Sequence, residues 1–190
     1  VDAVQYHGSF AEYIDGIKPE SDNINAFHYR NELLKFRGRE TELKMLSEFI
    51  ESDEELLWIA VNGSGGAGKS KLLYYFVKEM RINPKWKSVW IHAENCEQFA
   101  RFAEWRYPCN LLVVIDYAGT AASDMGKWLE CLERSTYHPD KMRFVFIERE
   151  GIGENGNVPL WYQNLKGSGK QARSVERLGW KKHNGTPLFQ

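Results

Sequence analysis

The chain has 190 residues, 43% of them hydrophobic, with seven Trp and ten Phe, which is enough apolar material for one domain with a substantial core. Its 25 Lys and Arg against 26 Asp and Glu leave a net charge of −1, which excludes a protein built mainly to coat nucleic acid. Cys96, Cys109 and Cys131 form no C-x-x-C pair, so neither a disulfide framework nor a zinc site is expected, and a reducing, cytoplasmic setting is. No apolar run reaches the roughly 20 residues of a membrane span, and the start of the chain lacks a signal pattern.

Residues 1–35 mix aromatics, charges, Gly16 and Pro19 without sustained periodicity. A short helix over Ser9 to Ile14 and then irregular chain are expected, serving as an N-terminal arm or a linker. Phe36-Arg37-Gly38-Arg39-Glu40 opens the domain proper, residues 36–190, and leads into a helix whose Leu43, Leu46, Phe49 and Ile50 form one apolar stripe. Leu56 to Val61 is apolar and rich in β-formers, hence a buried strand, and it breaks at Asn62 into a glycine-rich turn. An amphipathic helix with Leu72, Leu73, Phe76, Val77 and Met80 on one face follows directly.

That turn, Gly63-Ser64-Gly65-Gly66-Ala67-Gly68-Lys69-Ser70, fits G-x-x-x-x-G-K-[ST], the phosphate-binding loop, in the strand-to-helix context the motif requires. Glycines are needed because backbone N–H groups must wrap a triphosphate closely, with positive φ angles that side chains resist. Lys69 is expected to give a point charge to the β- and γ-phosphates and the Ser70 hydroxyl to ligate Mg²⁺. The amino terminus of the next helix, including Lys71, adds its dipole.

Asn83-Pro84 reads as a helix stop, with Asn83 suited to a left-handed cap. Ser88 to Ala93 is a second strand, and Asn95, with Gln98 three residues on, caps a helix that buries Phe99, Phe102 and Ala103 and stops at Pro108. Leu111 to Ile115 is a continuous apolar run closed by Asp116, the pattern of a central strand delivering a carboxylate to its carboxyl edge. Downstream of a phosphate loop this is a Walker B strand, and Asp116 is placed with the Mg²⁺ opposite Ser70. Ala122, Met125, Leu129 and Leu132 mark the next helix face, and Arg143 to Ile147 the next strand, which runs into Glu148-Arg149-Glu150. A flexible basic loop begins at Lys166, Ser174 to Leu178 forms a last strand, and Arg173, Arg177, Lys181, Lys182 and His183 make a basic tail read as a solvated edge. The five histidines have no ligand spacing.

The ordered set of Phe36 to Leu43, Gly63 to Ser70, Asp116 and Arg149 resembles the STAND NTPases, signal-transduction relatives of AAA+ proteins that include NACHT and NB-ARC modules. The resemblance spans about residues 27–165. It implies an α/β fold, a three-layer P-loop NTPase sandwich around a mostly parallel sheet, with the Arg143 to Ile147 strand inserted between the phosphate-loop and Walker B strands. It also places Phe36, Arg37, Gly38 and Arg39 against adenine and gives Arg149 the γ-phosphate. A planar guanidinium suits that task because it donates parallel hydrogen bonds and keeps its charge. The aromatic stretch Trp161 to Leu165 matches as well.

The cofactors implied are ATP or ADP with Mg²⁺, and the activity a slow ATPase whose nucleotide state couples to self-association. The partners implied are other domains of a longer chain, since the winged-helix region of such proteins is missing and the chain opens at Val1 without Met. One departure matters. Bacterial relatives read D-Y-A-E after the Walker B strand, whereas this chain reads Asp116-Tyr117-Ala118-Gly119, so the expected water-orienting acid is absent. Glu94 and Asp124 are the nearest substitutes in sequence, and restoring the acid by Gly119→Glu is expected to raise turnover. Two other readings stay open: a scaffold that binds ATP without hydrolysing it, and an AAA+-type ATPase using the basic tail on nucleic acid. No N-K-x-D motif points to guanine.

Overall fold

The computed structural model describes residues 36–80, 83–93, 109–134, 141–149 and 159–166. Expectations for 1–35, for the helix after Asn95, for Glu94 and for the basic tail lie outside these residues. In chain order the elements are α1 (Glu40–Glu51), β1 (Leu56–Asn62), α2 (Lys69–Met80), β2 (Trp86–His92), β3 (Asn110–Asp116), a 3-10 turn (Ala118–Ala121), α3 (Ala122–Arg134), β4 (Met142–Glu148) and α4 (Leu160–Lys166). Among the described residues no helix is long and apolar enough to cross a membrane.

The architecture is α/β. Among the described residues four strands form one sheet in the order β1-β4-β3-β2, and every pairing is parallel. The expected insertion of the Arg143 to Ile147 strand between the other two is therefore what the chain adopts. A parallel sheet covered on both faces needs strands that are apolar throughout, and β3 and β4 meet that need: Leu111 to Ile115 and Phe144 to Ile147 are all buried.

Side chains alternate between two cores, as the two-residue repeat of a strand demands. On one face Trp58, Val113, Ile115, Phe144 and Phe146 pack against Met125, Trp128, Leu129 and Leu132 of α3 and against Trp161 and Tyr162 of α4. On the other, Leu57, Ile59, Val61, Leu112, Val114, Val145 and Ile147 pack against Leu46, Phe49 and Ile50 of α1 and Leu72, Leu73, Phe76 and Val77 of α2. Trp128, which the expected face of α3 omitted, sits one turn from Met125 and meets Phe144 edge to face at 5.0 Å. Each such fully buried side chain contributes about 1.5–3 kcal/mol.

The chain runs outward from β1 to the far edge strand β2 and then steps back through β3 to β4. Right-handed crossovers travelling in opposite directions leave their helices on opposite faces, so α2 and α3 depart from the sheet on different sides. At the carboxyl ends this opens a crevice, the usual ligand position in such sheets.

Two local details differ from the sequence reading. β2 begins at Trp86, two residues before Ser88, because Trp86 pairs with Asn110. The Asn83 stop works without a left-handed backbone, since the described non-glycine residues with positive φ are Arg39 and Tyr117. Instead the Asn83 side-chain oxygen accepts the Lys85 N–H at 3.0 Å, and the Asn83 carbonyl accepts from Trp86. Such an Asx turn reverses the chain without a cap.

Arg143 closes the amino-terminal edge of the sheet. It is fully buried on β4, and all five of its N–H donors find carbonyl oxygens: Nε at Phe49, Nη1 at Glu55 and Met142, Nη2 at Ser52 and Glu54. Phe49 lies in the last turn of α1, where carbonyls lack helical partners. One guanidinium thus satisfies a helix end and the turn into β1. Burial lowers its pKa to about 10, which leaves it charged at neutral pH.

Candidate functional site at the carboxyl edge of the sheet

The loop between β1 and α2 depends on glycine at two points. Gly66 and Gly68 have φ of 78° and 81°, a region where a Cβ is strained. The Ala67 N–H donates to Ser64 O, and α2 starts at Lys69 with the Leu72 N–H bonded to Gly68 O. The loop therefore wraps tightly and hands over directly to a helix amino terminus.

Lys69 is the second buried cation, 7% exposed. Its Nζ donates to the carbonyls of Gly63 at 2.7 Å and Ser64 at 2.9 Å, so the ammonium turns back over its own loop. Burial holds its pKa below the ordinary value, and the positive field of Arg149 lowers it further against the opposing pull of Asp116 and Glu148.

Asp116 arrives from the end of β3 and is 8% exposed. Its Oδ2 accepts from the Ser70 hydroxyl at 3.1 Å, and its Oδ1 accepts the Tyr117 N–H at 3.0 Å. Tyr117 has φ of 57°, a strained value for a side chain of that size. Its ring, half exposed, lies 5.9 Å from the Arg149 guanidinium carbon.

Arg149 follows β4, next to Glu148. The residues from Gly65 to Lys71, with Asp116, Tyr117, Ile147, Glu148 and Arg149, line one cleft of about 390 Å³. The fold thus brings Lys69 and Ser70 at the start of α2, Asp116 at the end of β3 and Arg149 just after β4 together. Gly63 and Ser64 join through their carbonyls to Lys69.

Phe36, Arg37, Gly38 and Arg39 do not line that cleft. Phe36 stacks on Tyr75 of α2 with ring centroids 4.4 Å apart, and Arg37 and Gly38 are exposed. Arg39, at φ 68° before α1, ties the segment to the loop: Nη2 donates to Ala67 O at 2.8 Å while Nη1 pairs with Glu42 at 2.9 Å.

Two lining residues had no place in the sequence reading. Tyr117 was only part of a motif, and Glu148 was only the first member of an E-R-E run. Glu148 accepts two backbone N–H groups, Gly119 at Oε2 and Arg149 at Oε1, each at 2.7 Å. The signal that could have marked it is an acid closing a buried strand, as Asp116 does. At Gly119, where an acid is expected to raise turnover, a Cβ would stand 2.6 Å from Glu148 Oε2, so the Glu148 side chain would have to shift to admit a residue there.

No protein-family model matches this chain, and no curated protein matches it.

Proposed function

We propose that the chain is an ATP-binding switch module of the P-loop class, hydrolysing slowly and coupling its nucleotide state to self-association, as its resemblance to STAND NTPases implies. The reading rests above all on the convergence of Lys69, Ser70, Asp116 and Arg149 on a single cleft beside a glycine-rich loop. Each group suits one part of a nucleoside triphosphate. Loop N–H groups and the start of α2 face the phosphates, Lys69 exchanges its loop carbonyls for phosphate oxygens, and Arg149 exchanges the Tyr117 ring for the γ-phosphate.

The Ser70 hydroxyl and the Asp116 carboxylate, 3.1 Å apart, are hard oxygen donors of the kind Mg²⁺ takes. In this reading the pair would hold the metal. Magnesium bound there supplies charge neutralisation at the β- and γ-phosphates. Adenine as the base rests on the family resemblance of the Phe36 to Glu40 segment, which the Arg39 to Ala67 hydrogen bond ties to the glycine-rich loop.

A thermal-shift panel of ATP, ADP and GTP, with and without Mg²⁺, tests the reading. A ligand bound by the folded state at a hundred times its Kd adds about 2.7 kcal/mol, roughly 5–10 °C for a chain of this size. ATP with Mg²⁺ should reach that range and GTP should fall short of it. A flat panel contradicts the reading.

A further inference from the structure

The expected acid after Tyr117 is missing, yet a carboxylate stands where its side chain would be. Glu148 ends β4, the strand between β1 and β3, and Ile147 just before it is in register with Asp116. From there the Glu148 side chain crosses to the loop after β3 and accepts the Gly119 N–H at 2.7 Å. A Cβ built on Gly119 would meet Glu148 Oε2 at 2.6 Å and Cδ at 3.3 Å.

The glycine is not there for its backbone, since the described glycines with positive φ are Gly38, Gly63, Gly66 and Gly68. What a side chain at 119 would meet is the Glu148 carboxylate, which would have to shift to admit it. A side chain at 119 and a carboxylate at 148 compete for one small volume at the edge of the cleft, and this chain holds the second arrangement.

The carboxylate is also held in position. Each oxygen takes one backbone N–H, from Gly119 and from Arg149, and a carboxylate oxygen has two lone pairs. Glu148 therefore keeps acceptor capacity while it lines the cleft with Lys69, Asp116 and Arg149.

We propose that Glu148 is the general base of ATP hydrolysis in this chain and that Gly119 is the space it requires, an inference that rests on the ATP-site reading above. In the step, the water oxygen bonds to the γ-phosphorus. The bond from that phosphorus to the oxygen bridging to the β-phosphate breaks, its electron pair leaving with ADP. The water proton passes to a Glu148 oxygen and from there to solvent, so ATP and water become ADP and phosphate. Arg149, whose own N–H is bonded to Glu148, moves with the base, so phosphate sensing and water activation share one backbone segment.

The test uses wild type, Glu148→Gln, Glu148→Ala, Gly119→Glu and the double variant Gly119→Glu/Glu148→Ala. Each is read by single-turnover hydrolysis, by melting temperature without nucleotide and by the ATP-induced shift. Glu148→Gln, which keeps size and one acceptor, should hydrolyse on the order of 100-fold to 10,000-fold more slowly, with an ATP-induced shift no smaller than wild type. Gly119→Glu alone should melt lower than wild type from crowding. The double variant should recover that melting loss and hydrolyse at least tenfold faster than Glu148→Ala, because the acid re-enters the same volume from the turn after β3.

A Glu148→Gln chain that hydrolyses at the wild-type rate with a normal ATP shift would overturn the proposal and leave the ATP site standing. So would a wild type that binds ATP and never turns it over. A wild type with no ATP shift would overturn both.

Discussion

Arg143 and Lys69 are both buried cations, one on the sheet at its amino-terminal edge and one on the helix that starts beside its carboxyl-terminal edge, and they serve opposite ends. Arg143 spends all five donors on backbone carbonyls and is sealed between Phe49 and Trp86. Lys69 bonds two carbonyls of its own loop, lies beside a cleft of about 390 Å³, and shares it with two acids and Arg149. Burial depresses both pKa values, so the cost of desolvation does not tell them apart. What separates them is what each leaves behind when removed. Without Arg143, buried carbonyls at Phe49 and Met142 lose their donor. Without Lys69, the carbonyls released belong to Ser64, which is exposed, and Gly63 beside it, where water can replace the ammonium. A saturated buried charge is architecture, whereas one held at the rim of an open cleft is available for a ligand.

The largest effect should come from breaking the saturated end. Arg143→Met should cost at least about 3 kcal/mol in denaturant unfolding, because a buried acceptor left unpaired carries its full desolvation penalty. Arg143→Lys should recover only part of this, since an ammonium has three donors and no planar fork. A loss under about 1 kcal/mol for Arg143→Met would mean that water reaches those carbonyls and the contrast between the two edges is false.

Next in size is Gly68→Ala, at φ 81°. It should cost about 1–2 kcal/mol through backbone strain and also shrink the ATP-induced melting shift. The open space around Gly68 means that strain alone, rather than a clash, produces the loss.

Lys69→Met should be neutral or stabilising without nucleotide while abolishing the ATP shift, the reverse of the Arg143 result. Because burial holds the folded-state pKa of Lys69 below its ordinary 10.5, the folded chain gives up this proton more readily than the unfolded chain does. The resulting penalty is fully present below the folded pKa and is relieved as the pH rises through it toward 10.5. The advantage of Lys69→Met over wild type should therefore shrink at high pH in a series of melting curves. An advantage that grows with pH would show that the loop bonds outweigh burial.

The smallest effect belongs to a charge that neither edge uses. Lys44 and Glu48 lie 3.8 Å apart on the exposed side of α1. Lys44→Ala should change stability by less than about 0.5 kcal/mol.

Much of this contrast was readable before the fold, and the reasons are local. Leu111 to Ile115 is buried on both faces, so its apolar run announces a central strand without need of partners. The glycine-rich loop carries its own signal, because the backbone at Gly66 and Gly68 calls for glycine. The helix faces of α1 and α2 followed from spacing alone.

What escaped lies in contacts between distant parts of the chain. Glu148 acts on Gly119, 29 residues earlier, and nothing near Glu148 announces that partner. Arg143 reads as the start of a strand, and its carbonyl partners at Ser52, Glu54 and Phe49 are about ninety positions away, at separations of 91, 89 and 94. The start of β2 was missed because Lys87 is exposed on an edge strand between buried Trp86 and Ser88, which interrupts the apolar run. Single-sequence pattern reads one element at a time, and both the Glu148 contact and the Arg143 seal are made between elements.

The central claim is that the carboxyl edge of this sheet is a triphosphate site governed by Lys69. Calorimetric titration of ATP with Mg²⁺ into wild type and Lys69→Met, both confirmed folded by their melting curves, tests it most directly. Saturable binding to wild type that is lost in Lys69→Met, with the variant at least as stable as its parent, is the predicted result. Equal affinity in the two proteins, or no binding to either, would contradict it.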